Sequence, residues 1–122
     1  MSPLAWLGVG VFGAAGAYAR FALAAAVTAR RAGAFPWGTF IVNMTGGFAL
    51  GVLTGAGVTG DALFVLGTGL MGGYTTFSTW MVEAERLGED AEIVLACVYL
   101  LGSMLAGLAA TGAGWAIAGA LA

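Results

Sequence analysis

The sequence has no histidine, no lysine and a single cysteine, and only 8% of its 122 residues are charged. Without histidine, and with no visible metal-binding cluster or activated nucleophile, it offers nothing on which to build an enzyme's chemistry. Cys97 has no partner in its own chain, so no intrachain disulfide braces the fold. Its place inside an apolar block marks it as a small packing residue. A soluble domain of this size carries about a quarter charged residues, which excludes that class. The net charge of −2 gives no footing for nucleic acid.

What is present is apolar and gathered into blocks: 61% of the residues are hydrophobic. Arg30 and Arg31, the region of Asp61, and the cluster from Glu83 to Glu92 separate these blocks. A bilayer core needs about 20 apolar residues per helix. Four spans follow, at 3–28, 36–58, 62–83 and 92–120, in one all-α membrane domain covering 1–122. The N-terminal stretch lacks a basic leader and runs on to Arg20, so it reads as the first span and not as a cleaved signal. Arg30, Arg31 and Arg86 fall in the first and third loops, a weak bias that places those loops inside. Arg20, near a helix end, can snorkel.

Glycine is abundant, at 22 residues. Helices in lipid associate by close packing, so small residues four apart mark contact faces. Gly47, Gly51 and Gly55 make such a face on span two, and Ser103, Gly107 and Thr111 on span four. Four short spans are few from which to build an aqueous path, which favours a homo-oligomer.

Polar side chains at membrane depth are the informative minority. Thr39 and Asn43 are four apart on span two, and Tyr99 and Ser103 four apart on span four. Asn43 is the strongest signal, because a carboxamide has two donors and an acceptor to satisfy; a role in a pathway and a role joining two helices are both open. Spans one and two contain no Asp or Glu and span four has only Glu92 at its first residue, whereas a proton-coupled cation exporter would be expected to hold one within a span. A path of neutral donors suits an anion.

The segment "GGYTTFSTW" at 72–80 interrupts span three. Its paired glycines are expected to loosen the helix near 72–76, with Thr75 or Thr76 capping a second half. Unwound backbone at this depth is tolerated only when buried or lining a cavity, and its carbonyls are a ready cation site. Phe77 and Trp80 then face the same way, either as core packing or as positive ring edges offered to an anion.

"WGTFIVNMTGGF" at 37–48, "GLMGGYTTFSTWMVE" at 69–83 and "GAYAR" ending at Arg20 resemble the bacterial fluoride channel family, called Fluc or CrcB. The resemblance covers nearly the whole chain. It implies a passive fluoride-selective channel in the bacterial plasma (inner) membrane, built as an antiparallel dual-topology homodimer with two pores. It further implies a sodium ion at the dimer centre on the backbone carbonyls of Gly72 and Thr75. Asn43, Phe77, Trp80, Tyr99, Ser103 and Thr39 would form the fluoride pore, with Gly73 and Arg20 structural. Two positions depart from the family pattern. Trp80 stands where a second Phe is usual, so its indole N–H is available to donate, and Gly107 stands where a further hydroxyl is common. A small four-helix multidrug or cation transporter would need a glutamate in span one, and a purely structural subunit leaves the break and Asn43 without a purpose.

Overall fold

The computed structural model describes residues 1–122 and is all helical. α1 (Pro3–Arg30) starts where Ser2 Oγ accepts the Ala5 N–H at 3.1 Å with Pro3 in the first turn, where its missing N–H costs nothing. The same hydroxyl donates to Asp61 Oδ2 at 2.8 Å, tying this end to the start of the third span. α2 (Trp37–Gly55) stops short of the expected residue 58, because the chain turns through Gly57 at φ 79°. α6 (Ile93–Leu121) matches the fourth span to within a residue. These three helices are long and apolar enough to cross a membrane by length and composition.

The third span is assembled from pieces. α3 (Gly60–Leu63) leads into π-helical turns at Phe64–Met71, then α4 (Gly72–Tyr74), a non-helical step at Thr75–Phe77, and α5 (Ser78–Glu89). Gly72 N–H donates to Gly67 O, the five-residue spacing of a widened turn. The sequence places the loosening at Gly72 and Gly73, yet both glycines lie within α4 and the chain opens just after them. The small size of Gly73 serves packing: a Cβ there would collide with the carbonyl oxygen of Gly13 on α1.

Glycine-lined seams organise the bundle. α2 lies along α6, and α1 lies along the third span. A Cβ on Gly51 would strike the Thr111 carbonyl, one on Gly55 the Trp115 carbonyl, and one on Gly114 the Phe48 carbonyl. The α2 face expected from Gly47, Gly51 and Gly55 is therefore a close contact with α6, backbone to backbone at Gly51 and Gly55 and against the Thr111 hydroxyl at Gly47. Only 15 of 122 residues are buried. Large side chains such as Trp6, Phe21, Leu105 and Trp115 point outward, as they do where lipid or a partner replaces water. Cys97 is also exposed, which corrects its reading as an interior packing residue. At the α1–α2 connection Arg31 sits over the Trp37 ring at 4.9 Å, an aromatic and basic pair suited to the membrane interface.

Gly51→Ala should force α2 and α6 apart and lower stability by about 1–3 kcal/mol. Gly10→Ala, whose Cβ would meet nothing within 4 Å, should be neutral or stabilising. Thermal unfolding of the two variants in detergent checks this. Equal melting temperatures would show that the seam tolerates a methyl group.

Candidate functional site

The site begins with the backbone at the break. Thr75 is extended, at φ −80° and ψ 161°. Its N–H still donates to Met71 O at 2.9 Å, and its hydroxyl donates to the same carbonyl at 3.0 Å, closing the first half of the span. Thr76 leaves the helix altogether. Its N–H donates to Asn43 Oδ1 at 2.9 Å, and its carbonyl accepts from Asn43 Nδ2 at 2.9 Å. The carboxamide thus pairs with both main-chain groups of one residue, as the opposite residue of another strand would. Thr76 Oγ1 then accepts the Thr79 N–H at 3.2 Å, starting α5 with the hydroxyl cap expected of Thr75 or Thr76.

The pairing has a consequence for the preceding turn. In a continuous helix the Thr76 N–H would donate four residues back, to the Gly72 carbonyl. With that donor spent on Asn43, no protein donor reaches the carbonyl oxygen of Gly72 or of Thr75. Gly73 O is satisfied differently, by Arg20 Nε at 3.3 Å from α1. The carbonyl oxygens of Gly72 and Thr75 therefore remain uncommitted. They are hard, neutral ligands of the kind that hold sodium at broken membrane helices. No group of three His, Cys, Asp or Glu side chains could hold a metal ion, so a cation would be bound here by main chain.

Beside the break lies a groove of about 480 Å³. α2 contributes Asn43 and Gly47, the broken span Thr75, Thr76, Phe77 and Trp80, and α6 Ser103, Gly107 and Thr111. No charged residue lines it. The rings of Phe77 and Trp80 meet edge to face, with centroids 5.6 Å apart and planes at 76°. Phe77 projects from the surface of the chain, 68% exposed. Two donors in this wall, Trp80 Nε1 and Ser103 Oγ, are buried without a hydrogen-bond partner. Orphaned buried donors cost about 1–3 kcal/mol each and call for a ligand, a water or a movement.

The structure brings Asn43, Phe77, Trp80 and Ser103 together around the groove but places Tyr99 and Thr39 elsewhere. Tyr99 is fully buried among Ala84, Leu87 and Ala96, where its hydroxyl donates to Glu83 Oε1 at 3.0 Å. It shares a helix face with Ser103, but α5 covers its turn of α6. Thr39 is buried and lines a second cavity of about 580 Å³ with Arg20, Thr28, Thr76 and Thr79. Thr76 lines both cavities, so the Asn43-bound peptide stands between them. Sequence reasoning did not single out Thr76 or Thr79 as lining residues; only the doubled threonine hinted at them. Glu83, the first residue of the charged cluster that ends the third span, pairs with a buried hydroxyl.

Comparison with known proteins agrees with this architecture. The profile of the family described as "CrcB-like protein, Camphor Resistance (CrcB)" matches residues 7–115. A protein of Mycobacterium tuberculosis (strain H37Rv) named fluoride-specific ion channel FluC 2 is 47% identical over 105 residues, 86% of this chain and 83% of that protein. The protein of the same name from Haloarcula marismortui is 45% identical over 109 residues, covering 89% of each. That from Moorella thermoacetica is 42% identical over 121 residues, covering 97% of this chain and 99% of its own. With the broken third span, the Asn-bearing second span and these matches across almost its full length, the chain belongs to the CrcB-like family.

Proposed function

We propose that the protein is a passive, fluoride-selective channel of the bacterial plasma membrane, with the groove beside the break as the wall of its pore. The observation that carries this reading is the donor set in a charge-free groove: the Asn43 carboxamide and two unpartnered donors, Trp80 Nε1 and Ser103 Oγ. Fluoride holds its water tightly, and a path through the membrane must replace that shell. Neutral N–H and O–H groups do so without trapping the ion as a fixed cation would. Phe77 presents a positive ring edge at the mouth. The names of the relatives, all fluoride-specific ion channels, support the choice of anion. No carboxylate lines the groove or lies in α1, so nothing there couples transport to protons, and the small multidrug transporter reading is not favoured.

The working unit is an antiparallel, dual-topology homodimer with two pores. The groove is open along one side of the protomer and Phe77 lies exposed beside it, an arrangement that a second copy would complete. The Gly72 and Thr75 carbonyls of one protomer are too few for a cation, whereas the same pair from two protomers about a two-fold axis supplies four oxygens. Gly72 and Thr75 would hold the sodium ion in this way, and its charge would fix the two breaks against each other. Arg20 and Gly73 hold the first half of the span against α1. Thr39 and Tyr99 flank the path without lining the groove.

Asn43→Asp should cut fluoride efflux from proteoliposomes by about tenfold or more while the dimer still assembles, because a fixed negative charge at that depth repels the anion. A folded dimer with undiminished efflux would remove Asn43 from the pore. Trp80→Phe should keep selectivity, since it retains a ring edge in the place where the family commonly has one. Phe77→Ile should lower throughput. If both variants conduct fluoride like the parent, the aromatic pair is packing and has no part in permeation.

A further inference from the structure

Asn43 holds Thr76 through both heavy atoms of its carboxamide, at 2.9 Å each. Of the common side chains, only a carboxamide supplies an acceptor and a donor side by side in one plane, as a peptide group does. Asp lacks the donor, Leu lacks both, and a hydroxyl is one short atom. The two bonds replace the two helical bonds that Thr76 gives up, and this is what allows non-helical backbone to exist where water is absent. They also act at a distance, because the Thr76 N–H is the one donor that could return to the Gly72 carbonyl.

We propose that Asn43 is a positioning residue for the cation site: by holding the Thr76 N–H away from Gly72, it keeps the Gly72 carbonyl free to coordinate. The inference rests on the reading of Gly72 and Thr75 as cation ligands. Asn43 also lines the groove, and its Nδ2 carries a second hydrogen beyond the one given to Thr76. One side chain therefore joins the two ion sites. It serves the cation through the backbone it holds and the anion through the hydrogen it has left. Without it, Thr76 N–H and Gly72 O have each other as nearest remedy, and the turn closes into helix.

Sodium binding, measured without fluoride, separates this role from permeation. The chain's four tryptophans report thermal unfolding of the purified dimer as sodium chloride replaces N-methyl-D-glucamine chloride at constant ionic strength. The parent should be stabilised by sodium. In Asn43→Leu the sodium concentration for half-maximal stabilisation should rise by about tenfold, the equivalent of one or two buried hydrogen bonds. Asn43→Asp keeps an acceptor for the Thr76 N–H, so it should bind sodium no more weakly than the parent even though its fluoride efflux is lost. Should Asn43→Leu not assemble, Asn43→Ser carries the same expectation with a smaller side chain. A folded Leu or Ser dimer with the parent's sodium midpoint, or a folded Asp dimer that has lost its sodium response, would overturn the positioning role while leaving the cation site standing. A parent indifferent to sodium would instead overturn the cation site, and the positioning role with it.

Discussion

Backbone that leaves a helix inside a membrane must find partners for its N–H and C=O groups, since no water is there to take them. In this fold the requirement falls most heavily on Thr76, whose N–H and C=O are both met by one side chain, Asn43. That pair supplies the partners that the Thr76 N–H and C=O lose where the third span is interrupted. Arg20 meets the same requirement one turn earlier, by donating to Gly73 O. What the two side chains leave unmet, the carbonyls of Gly72 and Thr75, is as informative as what they satisfy.

The glycine seams make this reach feasible. A carboxamide is short, and it touches Thr76 only because α2 lies close against the broken span. Gly46 helps set that approach: a Cβ there would collide with the Thr75 methyl group and crowd the Tyr74 ring. Thr45 Oγ1 and the Tyr74 hydroxyl, 2.7 Å apart, add a second polar tie between the same two segments. On its other side α2 meets α6 through Gly51 and Gly55, which brings Ser103 into the same groove as Asn43 and Trp80. Close packing on two faces of α2 and an open backbone beside it together create a cavity walled by neutral donors.

The four apolar blocks and the small-residue faces were legible because they depend on composition and on a period that sequence displays. Boundaries moved by a few residues where a turn decided them, as at Gly57. The position of the break was less legible. A glycine pair is ambiguous between unwinding and close approach, and here Gly73 serves close approach to Gly13 while the chain opens at Thr75. The partner of Asn43 lies 33 residues away, a separation that no local pattern encodes. Tyr99 and Ser103 share a helix face at the spacing expected of a polar track. The cover that α5 lays over Tyr99, and the Glu83 carboxylate that accepts its hydrogen bond, are tertiary facts. The π-helical turns at Phe64–Met71 had no sequence signal that separates them from an ordinary apolar helix.

The account stands or falls on whether neutral donors in this groove pass fluoride and reject the larger halide. The most direct measurement loads proteoliposomes with equal concentrations of fluoride and chloride and follows both anions outside with ion-selective electrodes. The account predicts rapid release of fluoride, driven by its own gradient and independent of a proton gradient, with chloride retained inside. Release of both anions together, or of neither from vesicles shown to contain folded protein, would contradict it.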